Sequence, residues 1–241
     1  MSVMLLDIAT VPDFELGVRL YALHDLSEKD IARVMFTKRR EMGGDSELLG
    51  QHMLRIAAIS IFLQDENDIS LQTSAGPQAD EINHLQFLAS IIDQHKPEII
   101  TWDRRAILPL VNFRCLYHGI RTPLAENSVA SDLMTELSAS DGKASSSLHE
   151  VAVLCGFPGN EGMSVETILT AYLKDSHELI RANLELNVIN TCLIHLRWQL
   201  VCGEIDQSLY ASKVQVLKEY FQTIDQTHLT NFVNAWDVKQ Q

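Results

Sequence analysis

Three aspartates lie near the ends of expected strands. Asp7 is near the end of the apolar run 4–8, Asp103 follows the apolar run 98–102, and Asp132 falls near an expected strand end. Carboxylate oxygens are the ligands that Mg²⁺ and Mn²⁺ prefer in proteins. These three residues are therefore candidate catalytic residues, provided that the fold brings their oxygens close enough to share a metal ion.

Basic residues are concentrated in one predicted helix over residues 28–40 and at the start of a second helix after residue 103. The candidate nucleic-acid-binding residues are Arg33, Lys38, Arg39, Arg40, Arg104 and Arg105. Clustered Lys and Arg side chains can contact phosphates. The same pattern is also common on the solvated side of an amphipathic helix. The sequence leaves both interpretations open.

Other catalytic patterns are absent from the sequence. The nine histidines show no HExxH spacing, the serines at 145–147 show no nucleophile elbow, and there is no glycine-rich phosphate loop. The four cysteines lack metal-binding spacing, so we expect reduced thiols and a cytoplasmic location. Asp7 and Asp103 also have simpler interpretations, as a polar strand end and as a helix N-cap.

The elements that must position these residues follow an α/β order. We expect strands at 4–8, 55–64, 69–74 and 98–102, with a hairpin turn at 65–68 and a break at 11–13. Helices are expected at 28–40, from Pro77 onward, and at 106–117 before Gly119. Ser147 and Glu150 form a capping box, and Ser176 is expected to cap a long helix that ends near Cys202. Strands followed by helices in this order predict an α/β fold with a mixed sheet.

The length and the charge of the chain restrict its class, its domain organisation and its binding partners. The chain has 241 residues, of which 46% are hydrophobic and 21% charged, so it is neither disordered nor fibrous. We expect one domain over residues 1–205 and a C-terminal helical extension over 206–241. No apolar run is long enough for a bilayer, and the N-terminus does not resemble a signal peptide. The formal net charge of −13 argues against extensive binding of phosphate backbones.

The order and spacing of several short segments carry a family resemblance. These segments are Arg55-Ile56-Ala57-Ala58-Ile59-Ser60, Ser131-Asp132-Leu133-Met134, Ser147-Leu148-His149-Glu150-Val151-Ala152, Gly156-Phe157-Pro158-Gly159, Val188-Ile189-Asn190-Thr191, Leu196-Arg197 and Gly203-Glu204-Ile205. Together they resemble the predicted 3′–5′ exonucleases related to the proofreading domain of family B DNA polymerases. That family belongs to the DEDDy branch of the ribonuclease H-like superfamily. The resemblance implies a ribonuclease H-like mixed sheet flanked by helices.

The resemblance also implies a two-metal site. In such a site Mg²⁺ or Mn²⁺ ions held by carboxylates generate hydroxide and stabilise the leaving oxygen. The family supplies an Asp-x-Glu on the first strand, an Asp after the middle strand, and a Tyr-x-x-x-Asp pair on a late helix. The tyrosine orients the attacking water.

Most of those groups are replaced in this sequence. Asp7 matches the first aspartate, but Ala9 occupies the position of the bridging glutamate. In the second motif Asp103 takes the place of an asparagine, and Ile107 replaces the acid before Leu108-Pro109. That segment is one residue short, and no one-residue slip places an acid before Leu108. In the third motif Asn183 replaces the tyrosine and Asn187 the last aspartate.

We therefore expect a protein of the exonuclease fold that has lost metal-dependent hydrolysis. It would retain at most weak binding of single-stranded nucleic acid, or a role in binding a protein partner. Only Asp7 remains as a metal ligand from the expected set. The alternative is an active 3′–5′ exonuclease that uses Asp7, Asp103 and Asp132 around one or two Mg²⁺ or Mn²⁺ ions. A helical geometry places Glu185 away from the site, because it lies about 200° around the helix from both asparagines.

Overall fold

The structure is a computed structural model that describes residues 2–42, 48–65, 68–76, 80–122, 124, 130–138 and 146–239. The strands are β1 Val3–Pro12, β2 Leu54–Gln64, β3 Ile69–Ser74, β4 Glu98–Thr101 and β5 Ala130–Asp132. The helices are α1 Phe14–Tyr21, α2 Glu28–Glu41, α3 Glu81–His95, α4 Arg104–His118, α5 Leu133–Ser138, α6 Leu148–Leu154, α7 Val165–Leu173, α8 His177–Val201, α9 Gln207–Thr223 and α10 Thr227–Lys239. A short 3₁₀ helix, Gln51–Met53, precedes β2.

The strands form one mixed sheet in the order β3-β2-β1-β4-β5. β1 is antiparallel to β2 and parallel to β4, β2 is antiparallel to β3, and β4 is parallel to β5. β1 is therefore central, and Asp7 on it faces Ser60 in the register with β2. The mixed sheet and the ribonuclease H-like α/β architecture that were predicted from the sequence are confirmed.

The alternation of side chains along β1 divides the core into two layers. Leu5 belongs to a cluster beneath α8 that includes Phe62, Val188 and Leu193. Met4 and Leu6 belong to the cluster on the opposite face, with residues of α3 and α4. Asp7 has the same parity as Leu5, so its side chain faces the layer that contains α8.

The C-terminal helices share the first of these clusters. Phe221 of α9 and Trp236 of α10 are fully buried, and their rings lie 5.7 and 5.8 Å from those of Phe62 and Phe157. Glu185 of α8 accepts hydrogen bonds from Thr73 Oγ1 at 2.8 Å and from His228 Nε2 at 2.7 Å. Glu185 is therefore engaged by β3 and α10. The boundary at residue 205 stays a prediction.

A buried ionic cluster ties the end of β1 to the helices of the opposite face. The guanidinium of Arg114 on α4 donates to Asp13 Oδ2 at 2.6 Å and to both oxygens of Glu81 at 2.8 and 2.5 Å. Burial alone would lower the pKa of Arg114. The hydrogen bonds and negative charges of Glu81 and Asp13 have the larger combined effect, so the pKa is raised above its usual value. Glu81 also accepts from the backbone N of Ile56 at 2.6 Å.

Several elements differ from the expectation. β1 continues through the expected break to Pro12, because Val11 is fully buried and a bulge between Ala9 and Thr10 adjusts the register. The short helices α1, α5 and α7 were not expected, whereas β5 ends at Asp132, where a strand end was expected. Ser176 precedes α8 but makes no side-chain capping bond. Pro77 and the centre of the 65–68 turn lie outside the described residues.

Among the described residues, no helix has both the length and the apolar character that crossing a membrane requires.

The capping box is confirmed, since Glu150 N donates to Ser147 Oγ at 3.1 Å and Ser147 N donates to Glu150 Oε2 at 3.3 Å. It begins α6, which packs against α8 and carries His149, a residue that lines the candidate site.

Candidate functional site

Asp7 is held by a hydrogen-bond donor on each carboxylate oxygen. The backbone N of Ile8 donates to Oδ1 at 2.9 Å, and Asn187 Nδ2 of α8 donates to Oδ2 at 2.8 Å. Burial in this position raises the pKa of Asp7 to about 6, although the two hydrogen bonds act in the opposite direction. Asp7, the aspartate of the first motif, therefore contacts the amide of Asn187, which occupies the last position of the third motif. The contact joins β1 to α8.

Three asparagines form one connected amide network behind Asp7. Asn160 Nδ2 donates to Asn187 Oδ1 at 2.8 Å and lies 3.1 Å from Asn183 Oδ1. Because Asn187 Oδ1 accepts from Asn160, its Nδ2 is the atom left to donate to Asp7. The network fixes which end of the Asn187 amide faces the carboxylate.

The turn before Asn160 explains why that residue reaches α8. Gly159 has φ +75°, and a Cβ built on it would lie 2.6 Å from His149 Nδ1. A side chain at position 159 would thus meet both a strained backbone and the ring of His149. The turn passes close to α6 and carries Asn160 to the α8 asparagines.

The other two acidic motif positions are apolar in character and surroundings. Ala9 lies in a buried cluster with Ala58, Ile180 and Leu184. Ile107 of α4 is 6% exposed and belongs to the core cluster on the opposite face of the sheet. Neither position supplies an oxygen, and the space beside Ala9 is filled by alkyl groups.

A cavity of about 280 Å³ opens at Asp7. Its polar lining residues are Asp7, Thr10, Gln51, Asp103, Ser147, His149, Asn160, Glu161, Asn187 and Thr191. Asp7 and Asp103 thus share one cavity, which we call the Asp7 cleft. Asp132 does not line it.

Asp103 and Asp132 each cap the start of a helix. Asp103 Oδ1 accepts from the backbone N of Arg105 at 3.0 Å, and Asp132 Oδ1 accepts from the backbone N of Thr135 at 3.0 Å. Within the described ranges, no group of three or more His, Cys, Asp or Glu side chains is arranged to hold a metal ion. The role of the three aspartates as catalytic residues stays a prediction.

The predicted phosphate-binding residues lie in two places. Arg104 and Arg105 are exposed at the start of α4, next to Asp103 and Ala106 of the Asp7 cleft. The others are on α2, where Lys38 forms an ion pair with Glu41 at 2.8 Å and Arg39 Nε donates to Leu48 O at 3.2 Å. Arg33 and Arg40 line a separate groove between α2 and α7.

Sequence reasoning missed Asn160, His149 and Glu161 as lining residues of the cleft. Asn160 directly follows the segment Gly156-Phe157-Pro158-Gly159, and nothing in the neighbouring sequence indicates a contact with α8. The capping box located α6, but the direction of His149 depends on how α6 packs against the 157–160 turn.

The central β1, the parallel β4 and β5, and a long helix whose polar residues meet the first-strand aspartate define a ribonuclease H-like α/β protein. Residues 46–131 and 126–236 match the family described as "predicted 3′-5′ exonuclease related to the exonuclease domain of PolB". The chain belongs to this family. The matched regions begin after β1, so Asp7 and Ala9 lie outside them. No curated protein matches the chain significantly.

Proposed function

We propose that this member of the exonuclease family no longer hydrolyses phosphodiesters, and that the Asp7 cleft serves binding. The observation that carries the proposal is the hydrogen bond from Asn187 Nδ2 to Asp7 Oδ2 at 2.8 Å. It puts an N–H donor where a two-metal site needs a second oxygen ligand.

The donor set around Asp7 does not fit two divalent cations. Each cation requires several oxygen ligands, and carboxylates must offset most of its charge. Asp103 and Glu161 also line the cleft, but no group of three or more His, Cys, Asp or Glu side chains in the described part of the chain is arranged to hold a metal ion. Both oxygens of Asp7 accept from nitrogen. The apolar surroundings of Ala9 and Ile107 supply no further ligand. The proposal therefore requires neither Mg²⁺ nor Mn²⁺.

The polar cleft and its basic edge support weak binding of single-stranded nucleic acid. Amide and hydroxyl groups from Asn160, Asn187 and Thr191 can hydrogen-bond to bases or sugars, and Trp102 lines the same cleft. Arg104 and Arg105 lie next to it and can meet phosphates. Binding of a protein partner in this cleft is the alternative to binding of nucleic acid. The four free cysteines fit the cytoplasmic location expected from the sequence.

A nuclease assay tests the loss of hydrolysis. Labelled single-stranded DNA and RNA are incubated with the purified protein in Mn²⁺, alongside Asp7→Ala. We expect no trimming from the 3′ end by either protein. Trimming by the wild type that Asp7→Ala abolishes would contradict the proposal and favour an exonuclease with rearranged carboxylates.

A salt titration tests where nucleic acid contacts the protein. We expect Arg104→Gln/Arg105→Gln to weaken binding of a single-stranded oligonucleotide and to reduce the salt slope by about 0.7 for each lost phosphate contact. The matched control is Lys38→Gln/Arg40→Gln, which removes the same charge from α2. An equal loss in both variants would place the contacts outside the cleft, and a flat salt response in the wild type would leave a protein partner as its ligand.

A further inference from the structure

A second cavity, of about 310 Å³, lies between β2, α3 and the junction of α7 with α8. It shares no lining residue with the Asp7 cleft. Arg55, His84 and His177 contribute basic side chains to its wall, and Tyr172 contributes a ring. We call it the Arg55 cavity.

Arg55 carries a charge that no other described residue neutralises by an ion pair. Its side chain is half-buried, with the guanidinium carbon 5.9 Å from the centre of the Tyr172 ring. The Nε atom is buried and has no hydrogen-bond partner among the described residues. Nearly all buried polar atoms in proteins have such a partner, and a buried charge without one is costly. Arg55 is therefore positioned to bind an anionic ligand.

His177 presents a second unsatisfied nitrogen to the same cavity. Its Nε2 is buried without a hydrogen-bond partner in the described structure, and the nearest carboxylate oxygen, Oδ1 of Asp175, is 3.6 Å away. That distance is too long for a hydrogen bond. The ring of His177 packs edge-on against Tyr172, with centroids 6.0 Å apart. Tyr172 thus holds both Arg55 and His177 at the cavity.

Arg55 also borders a separate cavity lined by the carboxylates of Asp13, Glu15, Asp80 and Glu81, of which Asp13 and Glu81 are paired with Arg114. The other charged groups at the Arg55 cavity are bonded elsewhere or exposed. His84 Nδ1 is bonded to Ser74 Oγ at 2.8 Å, and burial is the main cause that lowers the pKa of His84. Glu28 is exposed, and the side chain of Asp175 is 83% exposed. Solvent and salt therefore screen both carboxylates.

We propose that the Arg55 cavity binds a phosphate group, which accepts hydrogen bonds from Arg55 and His177. A phosphate oxyanion offers several acceptor atoms and the negative charge that an arginine guanidinium binds best. The cavity is large enough for a phosphate monoester as well as for inorganic phosphate. This site is independent of the function proposed for the Asp7 cleft.

Calorimetric titration with inorganic phosphate tests the site, at about neutral pH and with chloride at matched ionic strength as the reference. We expect saturable binding of phosphate by the full-length protein and no equivalent signal from chloride. Arg55→Gln should weaken phosphate binding by about tenfold or more, because it removes a charge-assisted donor. Arg19→Gln, which removes the same charge from the exposed surface of α1, should leave binding unchanged.

A second variant and a competition experiment complete the test. If Arg55→Gln does not fold, His177→Gln decides, and it should weaken phosphate binding several-fold. Wild-type affinity in either variant, or a wild type that responds to phosphate only as it does to chloride, overturns the proposal. Competition by a 5′-phosphorylated oligonucleotide, but not by its 5′-hydroxyl form, would identify a nucleic-acid end as the source of phosphate. Competition by neither would identify a free phosphate or small phosphomonoester.

Discussion

At the scale of residues, the Asp7 cleft is organised by amides. Asn187 donates to Asp7 and accepts from Asn160, so each of its two polar atoms has one fixed partner. A neutral amide satisfies an acceptor without balancing its charge. The cost of burying Asp7 is therefore only partly offset, which is why its pKa is raised to about 6.

The raised pKa predicts a pH-dependent stability. A carboxyl whose pKa is higher in the folded protein favours folding fully below its unfolded value of 3.8, and this contribution is lost as the pH rises through about 6. In EDTA, we expect the free energy of unfolding of the wild type, relative to Asp7→Asn, to fall by about 2–3 kcal/mol between about pH 4 and pH 8. Urea denaturation at several pH values measures it. A difference that is constant with pH would contradict the placement of Asp7.

Asn187→Asp should convert the amide contact into a repulsive one. The variant places a second carboxylate within hydrogen-bonding distance of Asp7 Oδ2, so we expect a loss of about 2–4 kcal/mol in EDTA at neutral pH. Mn²⁺ should recover part of that loss by binding between the carboxylates. Thermal denaturation with and without Mn²⁺ measures both effects. Asn234→Asp, an exposed site on α10, is the control and should show neither.

The family resemblance identified Asp7, Asn183 and Asn187, because it aligned them with motifs on a strand and on a helix that meet. It could not identify Asn160. The contact of Asn160 with α8 depends on the close passage of Gly159 past His149, which is a tertiary contact with no local signature. Asp103 was expected as a helix cap from its position before α4, whereas Asp132 caps α5, a helix that was not expected.

At the scale of elements, Arg114 joins α4 to the end of β1 and the start of α3. Its side chain and those of Asp13 and Glu81 are all about 5% exposed. Arg114→Met would leave two buried carboxylates without their cation, and we expect a loss of about 3–5 kcal/mol in unfolding free energy. Arg40→Met on the surface of α2 should change stability by less than about 0.5 kcal/mol. Similar values for the two variants, measured by urea denaturation, would contradict the role of the cluster.

Long elements with regular patterns were predictable, and the short helices α1, α5 and α7 were not. The strands β2 and β3 and the helices α2, α4 and α8 match the expected segments within a few residues. α7 is short and has little periodicity of its own, so tertiary packing decides its conformation. β1 exceeds its predicted length because Val11 is fully buried and a bulge between Ala9 and Thr10 lets the strand continue past the expected break.

At the scale of the whole molecule, α9 and α10 complete the core over the sheet. Trp236 is fully buried against Phe157 and Phe232. We expect Trp236→Ala to lower the free energy of unfolding by about 3–5 kcal/mol. Val216→Ala on the exposed side of α9 is the control. An effect of Trp236→Ala below about 1 kcal/mol would indicate that the C-terminal helices are dispensable for the domain.

The composition of the Asp7 cleft determines how the net charge of −13 affects the binding of nucleic acid. An active two-metal nuclease offsets several carboxylates with its cations. In this chain the acids are mostly elsewhere, and the cleft is lined by amides, hydroxyls and few charges. The surplus charge therefore opposes binding of nucleic acid except at basic edges such as that formed by Arg104 and Arg105.

Binding of Mn²⁺, followed by electron paramagnetic resonance, tests the central claim most directly. The wild type and Asp7→Ala are titrated side by side at neutral pH. If Asp7 is committed to Asn187, the two proteins should bind Mn²⁺ equally weakly and give the same isotherm. A Mn²⁺ site that is present in the wild type and absent from Asp7→Ala would contradict the account and restore Asp7 as a metal ligand.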